Sequence, residues 1–295
     1  MSFEPQAKVP SFEKSTTGRL RPLRFPGWMR FGFQVGSRVS PALAARVTRK
    51  LFFTPPPVRR RIDQTEALAR GSRFDLRAPR GRVAGWSWGE GEPVLLLHGW
   101  GGHAGQFSSL IDPLERRGFR ALALDLPAHG DSAGSVASIR HFAEAIEEAA
   151  RVFGPFAGVV AHSFGCAATT YALARGLEVK RVVYLAPPAA FETFFGRVAT
   201  GLGITDDVKR RFTEISEDWL ALKFADVEPL QLARGQDAPL LIVHDHGDDE
   251  VPFEEGQALA NAWPGARLEA TTGLGHYRLM RDRRVTTAVT EFLGS

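Results

Sequence analysis

Five short runs of apolar residues recur along the chain, each ending at a polar or glycine-bearing corner: PVLLLHG (93–99), ALALDLP (121–127), GVVAHS (158–163), RVVYLAPP (181–188) and PLLIVHDH (239–246). Runs this short, rich in Val and Leu and without polar alternation, predict strands buried on both faces. Between and after them, apolar positions three and four apart predict helices at about 104–117, 136–153, 164–175, 254–263 and 282–293. Strand, helix, strand in this rhythm implies parallel pairing through right-handed crossovers. Ahead of the series, RFDLRAPRGRVAGWSWGEG (73–91) alternates as a hairpin does, with its turn near Pro79 to Gly81. ARLEATT (266–272) is one further strand candidate.

Two regions break the rhythm. Residues 189–238 separate two strands by far more than a crossover helix needs, and hold Phe191, Phe194, Phe195, Phe212, Trp219 and Phe224 among polar residues. The segment is expected to form a small cap above the sheet. Its aromatic residues suit either an apolar pocket lining or a small core that fastens the cap to the body. Residues 1–72 form a separate extension, with proline-bearing arms around one amphipathic helix over Ser40–Phe53. Ser40 stands at its N-cap, Pro41 at its first turn, and TPPP after it. A second short helix is expected around Asp63–Arg70, closed by Gly71.

Charge sharpens that division. Residues 1–73 carry 15 Lys and Arg against 4 Asp and Glu, whereas the remainder carries 22 against 29, so a basic segment is joined to an acidic body. Such a segment suits an arm packed on that body or on a second subunit in a homodimer, peripheral contact with the inner face of an anionic membrane, or, last, nucleic acid. No nucleic-acid partner is expected. Cys166 is the only cysteine, which excludes an intrachain disulfide. The opening MSFEPQAKVPSFEK lacks the apolar core of a signal peptide, and no later run reaches the length of a membrane span, so a cytoplasmic location is expected.

Candidate chemistry gathers where the runs end, at the carboxyl ends of the strands. Four landmarks stand there: His98-Gly99-Trp100-Gly101, Ser163 within AHSFG, the HDHGDDEVP run (244–252) and GLGHYRL (273–279). Ser163 is read either as a helix cap or as a nucleophile held on a tight turn. This combination, from about residue 73 onward, resembles the α/β-hydrolase superfamily and its serine esterases. The resemblance implies a mostly parallel sheet flanked by helices, with residues 73–295 as the hydrolase domain. The nucleophile elbow of that family is G-x-S-x-G, and Ala161 departs from it by one methyl group.

What the resemblance implies for the site follows residue by residue. Ser163 is the expected nucleophile and His276 the base, aimed by a loop with glycines at 273 and 275. Asp248 is the expected carboxylate, with Asp249 as runner-up and Asp245 too close to the strand end. Trp100 and Phe164 would supply backbone N–H groups to an oxyanion hole. Asp125 and His129, in LDLPAHGDSAG, are expected to brace the neighbouring loop. No cofactor is implied, and His103, His244 and His246 with Asp245 lack the spacing of a metal site. The expected reaction is hydrolysis of small to medium carboxylic esters. Thioester, amide and carbon–carbon cleavage stand behind it, and a catalytically silent binding protein is the reading of another class.

Overall fold

The computed structural model describes residues 25–295; the opening stretch, including MSFEPQAKVPSFEK, lies outside them. Eight strands form one sheet: β1 (Ser72–Ala78), β2 (Gly81–Trp88), β3 (Glu92–Leu97), β4 (Phe119–Leu124), β5 (Gly158–His162), β6 (Val182–Leu185), β7 (Leu240–Asp245) and β8 (Arg267–Thr271). Their order is β1-β2-β4-β3-β5-β6-β7-β8. The hairpin β1–β2 turns between Ala78 and Gly81, and β2 pairs antiparallel with β4. All the remaining pairs are parallel.

The apolar runs are continuous because both faces of the central strands are covered. Leu95, Leu97, Val159 and Ala161 face one hydrophobic layer with Phe142 and Ile146 of α5 (Ile139–Phe153) and Ala168 of α6 (Phe164–Ala174). Their strand neighbours Val94, Leu96 and Val160 face the other, with Leu110 and Leu114 of α4 (Ser108–Arg116) and Val289 of the helix Arg283–Gly294. Period-two alternation thus selects the layer rather than solvent or core. Shifting one strand by a single residue would exchange its two faces.

The extension and the cap meet each other. The described part of the extension has three helices, α1 (Gly27–Val39), α2 (Pro41–Phe52) and α3 (Ile62–Arg70). The first was not legible as a helix, since Gly27, Gly32 and Gly36 each lower propensity by about 1 kcal/mol relative to Ala. Ser40 stands at the N-cap of α2, as expected, but its side chain makes no capping bond. The cap consists of α7 (Phe191–Leu202), α8 (Asp206–Leu220) and the short α9 (Pro229–Ala233). Ala44, Ala45 and Phe53 pack with Phe195, Val208, Phe212 and Leu220 into a third, separate core.

Candidate active site

The turn at Ser163 is one of four points among the described residues where a non-glycine residue is held at positive φ. β5 ends at His162 and α6 begins at Phe164, so one residue must reverse the chain. Ser163 does so at φ 52°, ψ −124°, a conformation a side chain rarely adopts and that costs about 1–3 kcal/mol. It makes no side-chain cap to its helix, which removes the simple capping role. The neighbours must be small. A Cβ at Gly165 would stand 2.7 Å from the carbonyl oxygens of both Leu97 and His98, and one at Gly99 would stand 2.8 Å from the Ser163 Cβ. Ala161, the departure from the family pattern, is fully buried in β5.

His276 follows Gly275 in a short helical turn, and Gly273 and Gly275 both have positive φ, at 82° and 63°. Its Nδ1 is 2.8 Å from Asp248 Oδ2, and both side chains are buried. The other oxygen of Asp248 accepts the Glu250 and Val251 N–H groups, each at 2.9 Å. His244 Nε2 lies 3.4 Å from Oδ2 and 3.1 Å from the Val251 carbonyl. Burial pushes the Asp248 carboxyl up, but the hydrogen bonds from His244 and His276 and the His276 charge outweigh it and hold the group below the usual carboxylate range. Asp249 makes no bond to the imidazole among the described residues. Asp245 is occupied elsewhere, accepting the Thr271 hydroxyl and the Gly247 and Leu274 N–H groups.

Ser163 and His276 border one cavity of about 700 Å³, together with Gly99, Trp100 and Phe164. Ser163 Oγ makes no hydrogen bond among the described residues. A main-chain link joins the two segments: His162 Nε2 stands 2.9 Å from the His276 carbonyl oxygen. Burial, and then the neighbouring His276 charge, lower the His162 pKa to about 3, so this ring is neutral and donates from Nε2. Glu250 Oε2 is 3.9 Å from His276 Nε2.

The amides of Trp100 and Phe164 are free. Neither donates a hydrogen bond among the described residues, whereas the next amides do: Gly101 N–H to His129 Nε2 at 2.9 Å and Gly102 N–H to the Gly99 carbonyl at 3.0 Å. His98 accepts the Leu126 N–H on Nε2 and faces the Gly99 carbonyl with Nδ1, at 2.9 and 2.7 Å. Asp125 accepts the Ala104 and Asp131 N–H groups and the Arg60 guanidinium, at 2.7, 2.7 and 2.6 Å. Asp125 and His129 therefore hold the loop after β3 in shape and stay off the imidazole. His244 is buried while His246 is exposed against Phe253, so the two do not form a common ligand set.

Three contributions were not read from the sequence. Phe52 and Phe53, from the extension, line the cavity with Phe191, Phe194 and Phe224 of the cap. Phe52 makes ring contacts with Phe191, Phe194 and Phe195 at centroid distances of 5.6 Å each. The other two are carboxylates at the entry of α7, Glu255 buried and Glu228 half-buried. Glu255 accepts the Ala189 N–H at 2.7 Å and Glu228 the Phe191 N–H at 3.3 Å, which places negative charge at the positive end of that helix. Burial raises both, Glu228 to about 6. The only signal for any of them was the apolar pair Phe52–Phe53 just ahead of Thr54 and the three prolines.

A fold of this topology, with a strained serine at the end of the middle strand and a histidine–aspartate pair across the cavity, has a known class. Residues 94–288 match the model of the alpha/beta hydrolase family, and the chain belongs to that family. Among characterised sequences it is 38% identical over 73 residues to a serine hydrolase-like protein of Danio rerio, covering 24% of this chain and 22% of that one. It is also 48% identical over 44 residues to a pimeloyl-[acyl-carrier protein] methyl ester esterase of Methylococcus capsulatus, covering 15% and 17%. The matched stretches span less than a quarter of either relative. Among solved structures, an esterase from Exiguobacterium antarcticum superposes with a TM-score of 0.62 over 76% of this chain and 100% of that one, at 16% identity. At that identity the likeness is one of fold.

Proposed function

We propose that the protein is a serine hydrolase that cleaves carboxylic esters through an acyl-enzyme on Ser163. The observation that carries this reading is the strained serine sharing one cavity with an imidazole whose far nitrogen is held by a buried, ionised carboxylate. A serine hydroxyl needs such a base, and the base needs its tautomer fixed.

In this reading His276 Nε2 takes the Ser163 proton as Oγ attacks the ester carbonyl carbon. The oxygen becomes an anion that accepts the Trp100 and Phe164 N–H groups, each donor contributing about 10²–10³ in turnover. The tetrahedral intermediate then collapses. The bond to the leaving alkoxy group breaks, that group takes the proton from His276, and the acyl group stays on Ser163. Water, deprotonated by His276, attacks the acyl carbonyl and releases the carboxylic acid with Ser163 restored. The Oγ–Nε2 hydrogen bond forms as substrate closes the site, since such bonds are commonly long in free enzymes.

A cavity of about 700 Å³ whose lining includes six phenylalanines suits an apolar acyl group of small to medium length. Turnover of nitrophenyl esters of graded acyl length tests both parts of the proposal. Activity should peak at or below about ten carbons, the size this cavity accommodates. Ser163→Ala should lose about 10⁴-fold or more. Wild-type protein inert on the whole series would contradict the catalytic reading.

A further inference from the structure

Among the described residues, the exposed large apolar side chains are concentrated in one stretch of the chain. Twelve large apolar side chains are exposed among the described residues, and nine of them fall between Trp28 and Ile62. On α1 they are Trp28, Phe31, Val35 and Val39; on α2 they are Leu43, Val47 and Leu51. The spacing of three and four puts each set on one face of its helix. Trp28, Phe31 and Val39 are 76, 68 and 79% exposed, values unusual for residues of this kind in a water-facing helix. The opposite faces, with Phe33 and Ser37 on α1 and Ala44, Ala45 and Thr48 on α2, are buried.

Charge says what could cover these stripes. Residues 14–62 hold twelve Lys and Arg and no Asp or Glu. Arg30, Arg38, Arg46 and Lys50 are exposed and make no ion pair among the described residues. On the helical wheel Arg38 lies beside the α1 stripe, and Arg46 and Lys50 flank that of α2. Two copies paired through this face would set these cations against their own kind. An anionic lipid surface accepts both features at once, apolar side chains below the headgroups and cations among them. No helix among the described residues is long and apolar enough to cross a membrane, so the mode is lying on the surface.

We propose that α1 and α2 form an interfacial module that docks this protein on an anionic phospholipid bilayer. The stripe ends at Leu51, one residue before Phe52 in the cavity wall, so docking holds the cap side of the cavity next to the lipid.

Co-sedimentation of the full chain with phosphatidylcholine vesicles, with and without phosphatidylglycerol, tests this. The expected result is binding that requires the anionic lipid and weakens with salt. The triple variant R38Q/R46Q/K50Q should bind about 100-fold more weakly, at the usual contribution of one cation near an anionic leaflet. W28S/F31S/L43S should also lose binding, while circular dichroism and melting match wild type in both. Equal sedimentation with either vesicle, or wild-type binding by both triple variants, would overturn the proposal. So would light scattering that shows a dimer in the absence of lipid that W28S/F31S/L43S dissociates, since the face would then belong to a second copy.

Discussion

The carboxyl end of the sheet and the cap above it border the same cavity, yet they are built by different means. On the sheet side every functional group is fixed by main-chain constraint. Ser163 is forced to positive φ, Gly165 is pressed against two carbonyls, and Asp248 receives two backbone N–H groups as well as His276. On the cap side the wall is made of phenylalanine rings from three segments, Phe52, Phe191 and Phe224 among them, with no directional bond between them. Rings of this kind tolerate repacking, while a position such as Gly165, where an added Cβ would stand 2.7 Å from two carbonyl oxygens, does not. In the proposed reaction the rigid side would set the chemistry and the adaptable side the acyl choice.

This division can be broken at either side, with effects of very different size. Replacing Asp248 by Asn should lower kcat by about 10³–10⁴-fold, because the imidazole loses its tautomer and its counter-charge. Asp249→Asn should stay within a few-fold. Equal losses from the two would show that the carboxylate has been misassigned. Next in size is Gly165→Ala, expected to destabilise by about 1–3 kcal/mol, since the new methyl meets two backbone oxygens that cannot rotate away. Chemical denaturation measures it, and a neutral result would mean that the elbow is looser than the geometry says.

The pH dependence of stability follows from the buried histidines. His162 titrates near 6.5 in the unfolded chain and at about 3 in the fold, where burial and the neighbouring His276 charge keep it neutral. The unfolded state therefore binds more protons between these values, and stability rises with pH through the window. Seen downward, stability is fully present above 6.5 and falls by about 1.4 kcal/mol per pH unit for this one group as pH drops toward 3. Burial lowers His98 and His129 in the same direction. Unfolding free energy that stays flat from pH 7 to 5 would contradict this. The smallest effect belongs to the aromatic wall facing the sheet, at the ring that α2 supplies. Phe52→Ala should leave turnover of acetyl esters within a few-fold and shift the preferred acyl length upward by opening the far wall, as read from the same ester series.

The same contrast explains what the sequence revealed. The strands were legible because a run such as Val94–Leu97 is buried on both faces whatever the cap does. The tight corner at Ser163 was legible because a strand, a serine and small residues in succession describe a local shape, and Gly165 bears that shape out. Choosing between Asp248 and Asp249 needed the path of the loop, since adjacent residues point to different sides of it. The role of Phe52 was hidden for a longer-range reason: its partners, Phe191 and Phe212, lie more than a hundred residues away, and only the docking of α2 on the cap joins them. Glu228 and Glu255 read as surface acids until the entry of α7 is seen to close over them.

The central claim is that Ser163 is an activated nucleophile. A fluorophosphonate probe tests it directly, because phosphonylation requires the same attack that acyl transfer does. One covalent adduct per chain is expected, mapped by mass spectrometry to the peptide containing Ser163, absent from Ser163→Ala and slowed by orders of magnitude in His276→Ala. Labelling that persists in Ser163→Ala, or a folded wild-type chain that takes up no probe, would contradict it.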